Sequence, residues 1–397
     1  MLEIWLRRLR SWARQSSGSW AVRAKSGDIG YNAAIPISQS AIRKNQSMSD
    51  APQTESRSSS AQALDSKPVQ SSLMAWARLL RVANVPTAWT NVLVAFLFAQ
   101  GSWNPTSELV MLLLATSCLF CGGMVLNDLF DAEVDAVERP SRPIPSGAIS
   151  LAAARSVAIG LLLLGLVFAV AAGMLAMTYS AAGVSTLVRS ACCGIAVVLS
   201  IWLYDGPLKK TWLAPLAMGG CRFFNIMLGA STVRSEVAAN DLWFGFPPIV
   251  VGWAAAVALL IAGVTLLAKN ESSENVQNLR GQKVRLGIAS LLVIGGLLGI
   301  AGLSLLFPNP ALKVGLQKWF PLIVILISSR IVRHVLHAFV SPSPGSIKMG
   351  VISVLRSLII LDAVVSCLAV PGAMFYSLVV LAMLLPVLWL GKRIPIT

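Results

Sequence analysis

The chain has 397 residues, of which 56% are hydrophobic and only 12% are charged. Soluble globular proteins carry about a quarter charged residues, so this composition excludes an ordinary soluble enzyme. The formal net charge of +15 is compatible with a nucleic-acid partner by magnitude alone, but the placement of the basic residues argues against one.

The first 70 residues differ in kind from the rest. They are rich in Ser, Gln, Ala and Arg and contain no sustained apolar run. Such a segment cannot bury a core, so we expect a disordered basic tail at 1–70 and a transmembrane domain at 71–397. The opening MLEIWLRRLRSWARQ is compatible with a short interfacial helix and lacks the apolar core of a signal peptide. Translation from Met48 is an alternative that the sequence leaves open.

Beyond the tail, apolar runs of roughly the 20 residues needed to cross a bilayer recur along the chain. This pattern predicts an all-α polytopic membrane protein. Ten segments are predicted: 82–100, 108–127, 154–174, 189–204, 212–231, 247–268, 286–307, 319–339, 350–370 and 373–391.

Basic residues are distributed unequally between the two faces that these segments define. With the N-terminus inside, the tail, the even-numbered loops and the C-terminal end hold 27 of the 32 Lys and Arg. This is the positive-inside pattern. We therefore expect a multi-pass integral membrane protein, of a bacterial inner membrane, with the N-terminus and the loop at 127–147 in the cytoplasm and with no nucleic-acid partner.

The loop after the second segment begins NDLFDAEVD. Its Asn127, Asp128, Asp131 and Asp135 are spaced by one, three and four residues, so the last three lie on one face of a helix that continues past the membrane. Hard oxygen ligands in this arrangement suit Mg²⁺, which is commonly shared with substrate phosphates.

Two arginines follow, each directly before a proline. Guanidinium groups bind phosphate oxygens in a bidentate manner, and the prolines stiffen the loop that presents Arg139 and Arg142. A charged loop that only anchors the topology would explain any one of these residues, but it explains the ordered acids and the paired Arg-Pro steps together poorly.

The pattern NDxxDxxxD followed by RPxRPxPSG resembles the first aspartate-rich motif of the UbiA superfamily of intramembrane prenyltransferases. The resemblance covers about residues 75–390 and implies a UbiA-type bundle of nine to ten transmembrane helices. It implies that Asn127, Asp128, Asp131 and Asp135 bind Mg²⁺ and the diphosphate of an isoprenyl donor, with Asp128 and Asp131 also catalytic.

Further residues match the family in part. Tyr204 and Lys209, in YDGPLKKTW, resemble its catalytic Tyr and Lys in the loop after helix four. The stretch MGGCRFFNIMLGAS resembles helix five of the EboC-like branch, and its Arg222 and Asn225 share one helical face. A buried arginine within the membrane is costly, so we expect Arg222 to contact the donor diphosphate or the acceptor rather than serve only in a structural ion pair. Asn91 is a weaker match to a cavity-facing asparagine of helix one.

The family's second motif, DxxxD, is not present as such. The loop between segments six and seven reads AKNESSENVQNLRGQKVRLG and contains no aspartate. Glu271 and Glu274, together with Asn270, are the plausible metal ligands there. An ordinary polar loop is the alternative, which leaves the second metal site open.

We therefore expect Mg²⁺-dependent transfer of an isoprenyl group from a prenyl diphosphate to an unidentified lipophilic or aromatic acceptor in the bilayer. Two other functions stay open at this stage. One is a non-catalytic family member that binds prenyl diphosphate in a membrane assembly, and the other is a transporter with a cytoplasmic acidic gate.

Overall fold

The computed structural model describes residues 72–178, 183–233, 242–269 and 279–394, and this part of the chain is almost entirely helical. A short helix α1 and a 3₁₀ turn, Val82–Asn84, precede the bundle. The helices are α1 Ser72–Leu79, α2 Val85–Gln100, α3 Thr106–Phe130, α4 Ala132–Glu138, α5 Leu151–Met177, α6 Val184–Asp205, α7 Ala214–Gly229, α8 Pro248–Lys269, α9 Leu279–Leu306, α10 Val314–Val340, α11 Pro344–Ser366, α12 Met374–Ala382 and α13 Leu384–Arg393.

All ten predicted apolar segments coincide with helices. Within the described ranges, nine of them are long and apolar enough to cross a membrane. The exception is the predicted segment 212–231, which forms the 16-residue helix α7 and then turns at Ala230. At 1.5 Å per residue this helix is about 24 Å long, shorter than the bilayer core of about 30 Å.

The tenth segment, at the C-terminal end, is a helix that is interrupted once. Helices α12 and α13 follow each other with only Met383 between them, and together they span Met374–Arg393. The predicted nine to ten transmembrane helices are thus confirmed, with α7 as the helix on which the count depends. The protein is a multi-pass integral membrane protein.

Close approach of the helices depends on small residues, since lipid tails give apolar side chains no reason to leave the bilayer. A Cβ added at Gly165 of α5 would lie 2.7 Å from the Leu119 side chain on α3. A Cβ added at Gly229 of α7 would lie 2.8 Å from the Cα of Val92 on α2. Glycine at these two positions lets α5 pack on α3, and α7 on α2, at backbone distance.

Helix α2 brings helices that are distant in the sequence into contact. This helix packs against α3, α7 and α11, so the first and last thirds of the domain meet there. Large apolar side chains elsewhere point outward, including Leu291, which is 72% exposed, and Leu326, which is 73% exposed. In a membrane protein these side chains face lipid, and polar side chains are gathered inside and at the helix ends.

Candidate functional site

The acidic motif occupies the end of α3 and the short helix after it. We call this part of the bundle, comprising residues 127–142 with the α6–α7 loop at 206–213, the acidic end. The helix was expected to run on through the motif, but α3 ends at Phe130 and α4 begins at Ala132. Backbone bonds still cross the break, because the amide of Asp131 donates to Asn127 and that of Asp135 donates to Asp131. The acids therefore keep nearly helical spacing.

The carboxylates of Asp128 and Asp135 share one guanidinium. Arg142 Nη1 lies 2.5 Å from Asp135 Oδ2 and 3.5 Å from Asp128 Oδ1. All three side chains are at most 8% exposed. Because the two acids repel each other, the arginine between them compensates both charges in a place that water hardly reaches. Arg139, by contrast, is half exposed and lies 4.0 Å from Asp135.

A second arginine, which sequence reasoning did not single out, completes this group. Arg81 Nη2 donates to Asp128 Oδ1 at 2.9 Å. Its backbone has a φ of 49°, in the left-handed region that residues other than glycine rarely adopt. Helix α1 fixes the approach, since its Leu79 packs with Val125 of α3 and Ile144 of the following loop.

The third carboxylate is paired with the lysine predicted for the loop after α6. Lys209 Nζ lies 2.7 Å from Asp131 Oδ1, and both side chains are about one-quarter exposed. The loop is held from the other side by Lys269, at the end of α8. Its ammonium donates to the backbone oxygens of Lys209 at 2.8 Å and Thr211 at 3.3 Å.

Asn127 is engaged with a different acid. Its Nδ2 donates to Asp205 Oδ1 at 2.7 Å, which joins α3 to the end of α6. The bond uses the amide nitrogen, so it does not consume the amide oxygen, the atom with which an asparagine ligates a metal. Tyr204 precedes Asp205 and is partly buried at the same end of the bundle.

The oxygen atoms of these acids and of Asn127 suit a Mg²⁺ ion that also binds substrate phosphates and water. The described residues contain no group of three or more His, Cys, Asp or Glu side chains able to enclose a metal by themselves. Mg²⁺ does not require such a cage, because it is usually held by one or two carboxylates together with substrate phosphates and water. Asn127, Asp128, Asp131 and Asp135 supply oxygen ligands of the right chemistry, and Arg81, Arg142 and Lys209 now balance the three carboxylates.

A buried polar layer lies deeper along α2. Arg222 of α7 donates from Nη1 to the backbone oxygen of Thr87 at 3.0 Å and to Asn91 Oδ1 at 3.1 Å. Its Nη2 donates to Thr87 Oγ1 at 3.1 Å. Asn91 in turn donates from Nδ2 to Asp362 Oδ2 at 2.9 Å, and Thr90 donates to the same oxygen at 2.6 Å.

Asn225 lies one turn further along α7. It accepts from Thr116 of α3 at 3.0 Å and donates to the backbone oxygen of Ala88 on α2 at 3.2 Å. The predicted residues Asn91, Arg222 and Asn225 are thus brought together along one wall between α2, α3 and α7. Their predicted role in substrate binding stays a prediction.

The second predicted metal site cannot be placed beside the first. Asn270, Glu271 and Glu274 lie outside the described residues. Asp362 is a further candidate that its sequence context indicates. An aspartate in the middle of the apolar run LIILDAVVSC is expensive in a membrane, and a residue of this kind is a functional candidate by default.

Comparison with known proteins agrees with the fold. The model of the UbiA prenyltransferase family matches residues 88–349. The digeranylgeranylglyceryl phosphate synthase of Methanopyrus kandleri is 31% identical over 223 residues, which are 49% of this chain and 76% of that protein. The enzyme of the same name from Methanoculleus marisnigri is 35% identical over 142 residues, 35% of this chain and under half, 44%, of that protein.

Solved structures with the same fold are more distant in sequence. A structure concerned with digeranylgeranylglyceryl phosphate synthase in membranes has a TM-score of 0.54 at 20% identity, covering 77% of this chain and 99% of that one. A UbiA homologue from Archaeoglobus fulgidus bound to GPP and Mg²⁺ has a TM-score of 0.52 at 16% identity, covering 78% and 99%. These likenesses show a common fold. Because the family model matches well over half of the length of this chain, the chain belongs to the UbiA prenyltransferase family.

Proposed function

We propose that this protein transfers an isoprenyl group from a prenyl diphosphate to an acceptor within the membrane, in a Mg²⁺-dependent reaction. The observation that carries the proposal is the acidic end. Three acids at the end of a membrane helix each contact a cation there. Asp128 contacts Arg81, Asp131 contacts Lys209, and Asp135 contacts Arg142. Membership of a prenyltransferase family supports the same reaction.

The two charge types at this end suit the two halves of a metal diphosphate. Carboxylates and the oxygen of Asn127 would hold Mg²⁺, which supplies positive charge to the departing diphosphate. Arg81, Arg142 and Lys209 are the groups able to exchange a carboxylate partner for a phosphate oxygen. Arg139, half exposed and 4.0 Å from Asp135, has the most freedom to do so.

The chemical step is cleavage of the allylic C–O bond. The bonding pair leaves with the diphosphate, and the carbon becomes an allylic cation. Fixed cations beside the leaving oxygens stabilise charge that grows as the bond breaks, and therefore lower the barrier. The acceptor nucleophile then forms the new bond and releases its proton.

The apolar bundle has a part in this reaction too. A cation formed at the acidic end would be quenched by water, so the interior must stay dry on the side where the tail lies. The inner faces of α2 and α8 carry fully buried apolar side chains, including Phe96, Trp253 and Leu260. We infer that the prenyl chain extends from the acidic end into the bundle.

The acceptor and the branch are finer matters. We take a glycerol phosphate lipid as the first acceptor to try, because the relatives named above are digeranylgeranylglyceryl phosphate synthases. The EboC-like branch stays our prediction from the stretch around Arg222. The positive-inside pattern supports an acidic end that faces the cytoplasm, and a bacterial inner membrane stays a prediction with it.

The test uses the full chain in lipid nanodiscs with radiolabelled geranylgeranyl diphosphate and Mg²⁺. We expect label to appear in a new lipid-soluble product when an isoprenyl glycerol phosphate is supplied, and mass spectrometry to show one added prenyl group. Mg²⁺-dependent binding of the donor without product or diphosphate release, across all acceptors tried, would instead favour the non-catalytic alternative. Movement of intact donor across the membrane, measured with the protein in sealed proteoliposomes, would favour the transporter.

A further inference from the structure

The buried layer contains an aspartate to which the proposed mechanism gives no part. Asp362 lies in the second half of α11, has no exposed surface, and accepts two hydrogen bonds at Oδ2 from Thr90 and Asn91 of α2. Its other oxygen, Oδ1, has no hydrogen-bond partner among the described residues. A half-satisfied buried carboxylate costs stability, which favours a role other than holding the fold together.

The opposite charge of this layer is Arg222. The described residues contain no direct ion pair between it and Asp362, because the side chain of Asn91 lies between them. Asn91 donates from Nδ2 to the carboxylate and accepts at Oδ1 from the guanidinium. Two opposite charges are thus joined through one neutral amide.

The opposite charges of Asp362 and Arg222 determine which way the Asn91 amide points. If Asn91 were turned over, its oxygen would face the carboxylate and its NH₂ would face the guanidinium, and both hydrogen bonds would be lost. The amide is therefore held in one orientation for as long as Asp362 accepts and Arg222 donates. A neutral amide at position 362 could present either its oxygen or its NH₂ to Asn91, so that side would no longer oppose the turn.

Arg222 depends on this orientation. Its guanidinium bonds only α2 in the contacts described above, through the Asn91 oxygen and two oxygens of Thr87. Loss of the Asn91 contact would leave it free to tilt about the Thr87 contacts. Asn91 is six residues into α2, about 9 Å along the helix axis from its start, on the wall that leads inward from the acidic end.

We infer that Asp362 is a positioning residue for prenyl transfer: it fixes the Asn91 amide, and through it the guanidinium of Arg222, along the path that the reacting groups occupy. The inference rests on the proposed function. It assigns Asp362 no contact with substrate and no part in binding the diphosphate, which belongs to the acidic end.

The test compares Asp362→Asn with Ser366→Ala, a control one turn further along the same helix. Ser366 is also fully buried, and its hydroxyl bonds the Ala363 oxygen and Ser377 rather than α2. For each protein three quantities are measured: the rate of diphosphate release with saturating geranylgeranyl diphosphate and Mg²⁺, the Kd of geranylgeranyl thiodiphosphate, and the Tm.

For Asp362→Asn we expect the rate to fall at least tenfold, the Kd to stay within threefold of the original, and the Tm to fall no further than in Ser366→Ala. Ser366→Ala should keep its rate within twofold. If a residue served the fold alone, its variant would lose activity only to the extent that its Tm falls. Unchanged turnover in Asp362→Asn, or a loss that follows the Tm, would overturn the inference.

A double variant tests whether Asp362 acts through Arg222. Arg222→Gln should be slow as well, and Asp362→Asn combined with Arg222→Gln should be no slower than Arg222→Gln alone. Multiplying losses would mean that the two residues act independently, which contradicts the inference.

Should Asp362→Asn fail to fold, Thr90→Val removes one of the two donors to the carboxylate at nearly constant volume. It should slow turnover by a smaller factor at unchanged Kd, and a normal rate would overturn the inference. If the original protein showed no Mg²⁺-dependent transfer, the proposed function would fail and this inference with it. An active protein with a normal Asp362→Asn variant would overturn the inference alone.

Discussion

Lys209 Nζ lies 2.7 Å from Asp131 Oδ1, which ties the loop after α6 to the end of α3. The pair joins a residue of the acidic motif to a residue 78 positions later, at a place where both side chains remain about one-quarter exposed. The lysine nitrogen itself is buried and makes no hydrogen bond of normal geometry among the described residues, and partly exposed ion pairs contribute about 1 kcal/mol or less to stability. A pair that adds so little to the fold is free to serve a ligand.

Replacing Lys209 should therefore affect turnover far more than stability. We expect Lys209→Ala to lower kcat/KM by about 10- to 1,000-fold, since the proposed contact of this cation with the leaving diphosphate is lost. The Tm should move by no more than a few degrees. Steady-state kinetics and thermal unfolding in detergent measure both effects.

The neighbouring lysine is the matched control. Lys210 is exposed, and Lys210→Ala should retain nearly full activity. Equal losses in the two variants would mean that the loop acts only through its overall charge.

The buried pair of Arg142 with Asp135 should behave in the opposite way. Removing one partner of a buried pair costs about 3–5 kcal/mol, because the other charge is left without compensation. Arg142→Gln leaves the buried Asp135 with only Arg139, 4.0 Å away, while Asp128 keeps Arg81, so we expect a large fall in Tm as well as loss of activity. Combining it with Asp135→Asn should recover part of the Tm but none of the activity. A Tm unchanged in Arg142→Gln would show that water reaches these acids.

Glycine at the α2–α7 contact should be a further requirement for the site. In Gly229→Ala the new Cβ would lie 2.8 Å from the Cα of Val92, a backbone atom that cannot turn aside. We expect a loss of about 1–3 kcal/mol, the usual cost of overpacking, and displacement of Arg222 from α2. Gly160→Ala, on the exposed face of α5 with no atom within 4 Å of the new Cβ, should change the Tm little. Similar Tm values for the two variants would contradict the described packing.

The sequence predicted those parts of the protein that are encoded locally. A bilayer demands long apolar runs, so the helices could be located from composition alone. The acids from Asn127 to Asp135 are neighbours in sequence, and the helical repeat sufficed to group three of them. Helix α7 was predicted too long because the small residues Ala230 and Ser231 continue past Gly229 into a buried turn.

The parts that were missed depend on long-range packing. Arg81 meets Asp128 across 47 residues, and Asn91 meets Asp362 across 271. Arg81 precedes the first apolar segment, where the positive-inside pattern is enough to explain a basic residue. Nothing in its neighbourhood indicates that the chain turns through a left-handed residue there and directs the side chain at the acidic motif.

The measurement that tests the central claim most directly is diphosphate release by the purified protein, with and without Mg²⁺, for the original chain, Asp128→Asn and Glu138→Gln. Glu138 is an exposed acid of α4 and serves as the control. The account predicts Mg²⁺-dependent release that Asp128→Asn abolishes and Glu138→Gln retains. Release that does not depend on Mg²⁺, or that survives in Asp128→Asn, would contradict the assignment of the acidic end as the site of prenyl diphosphate cleavage.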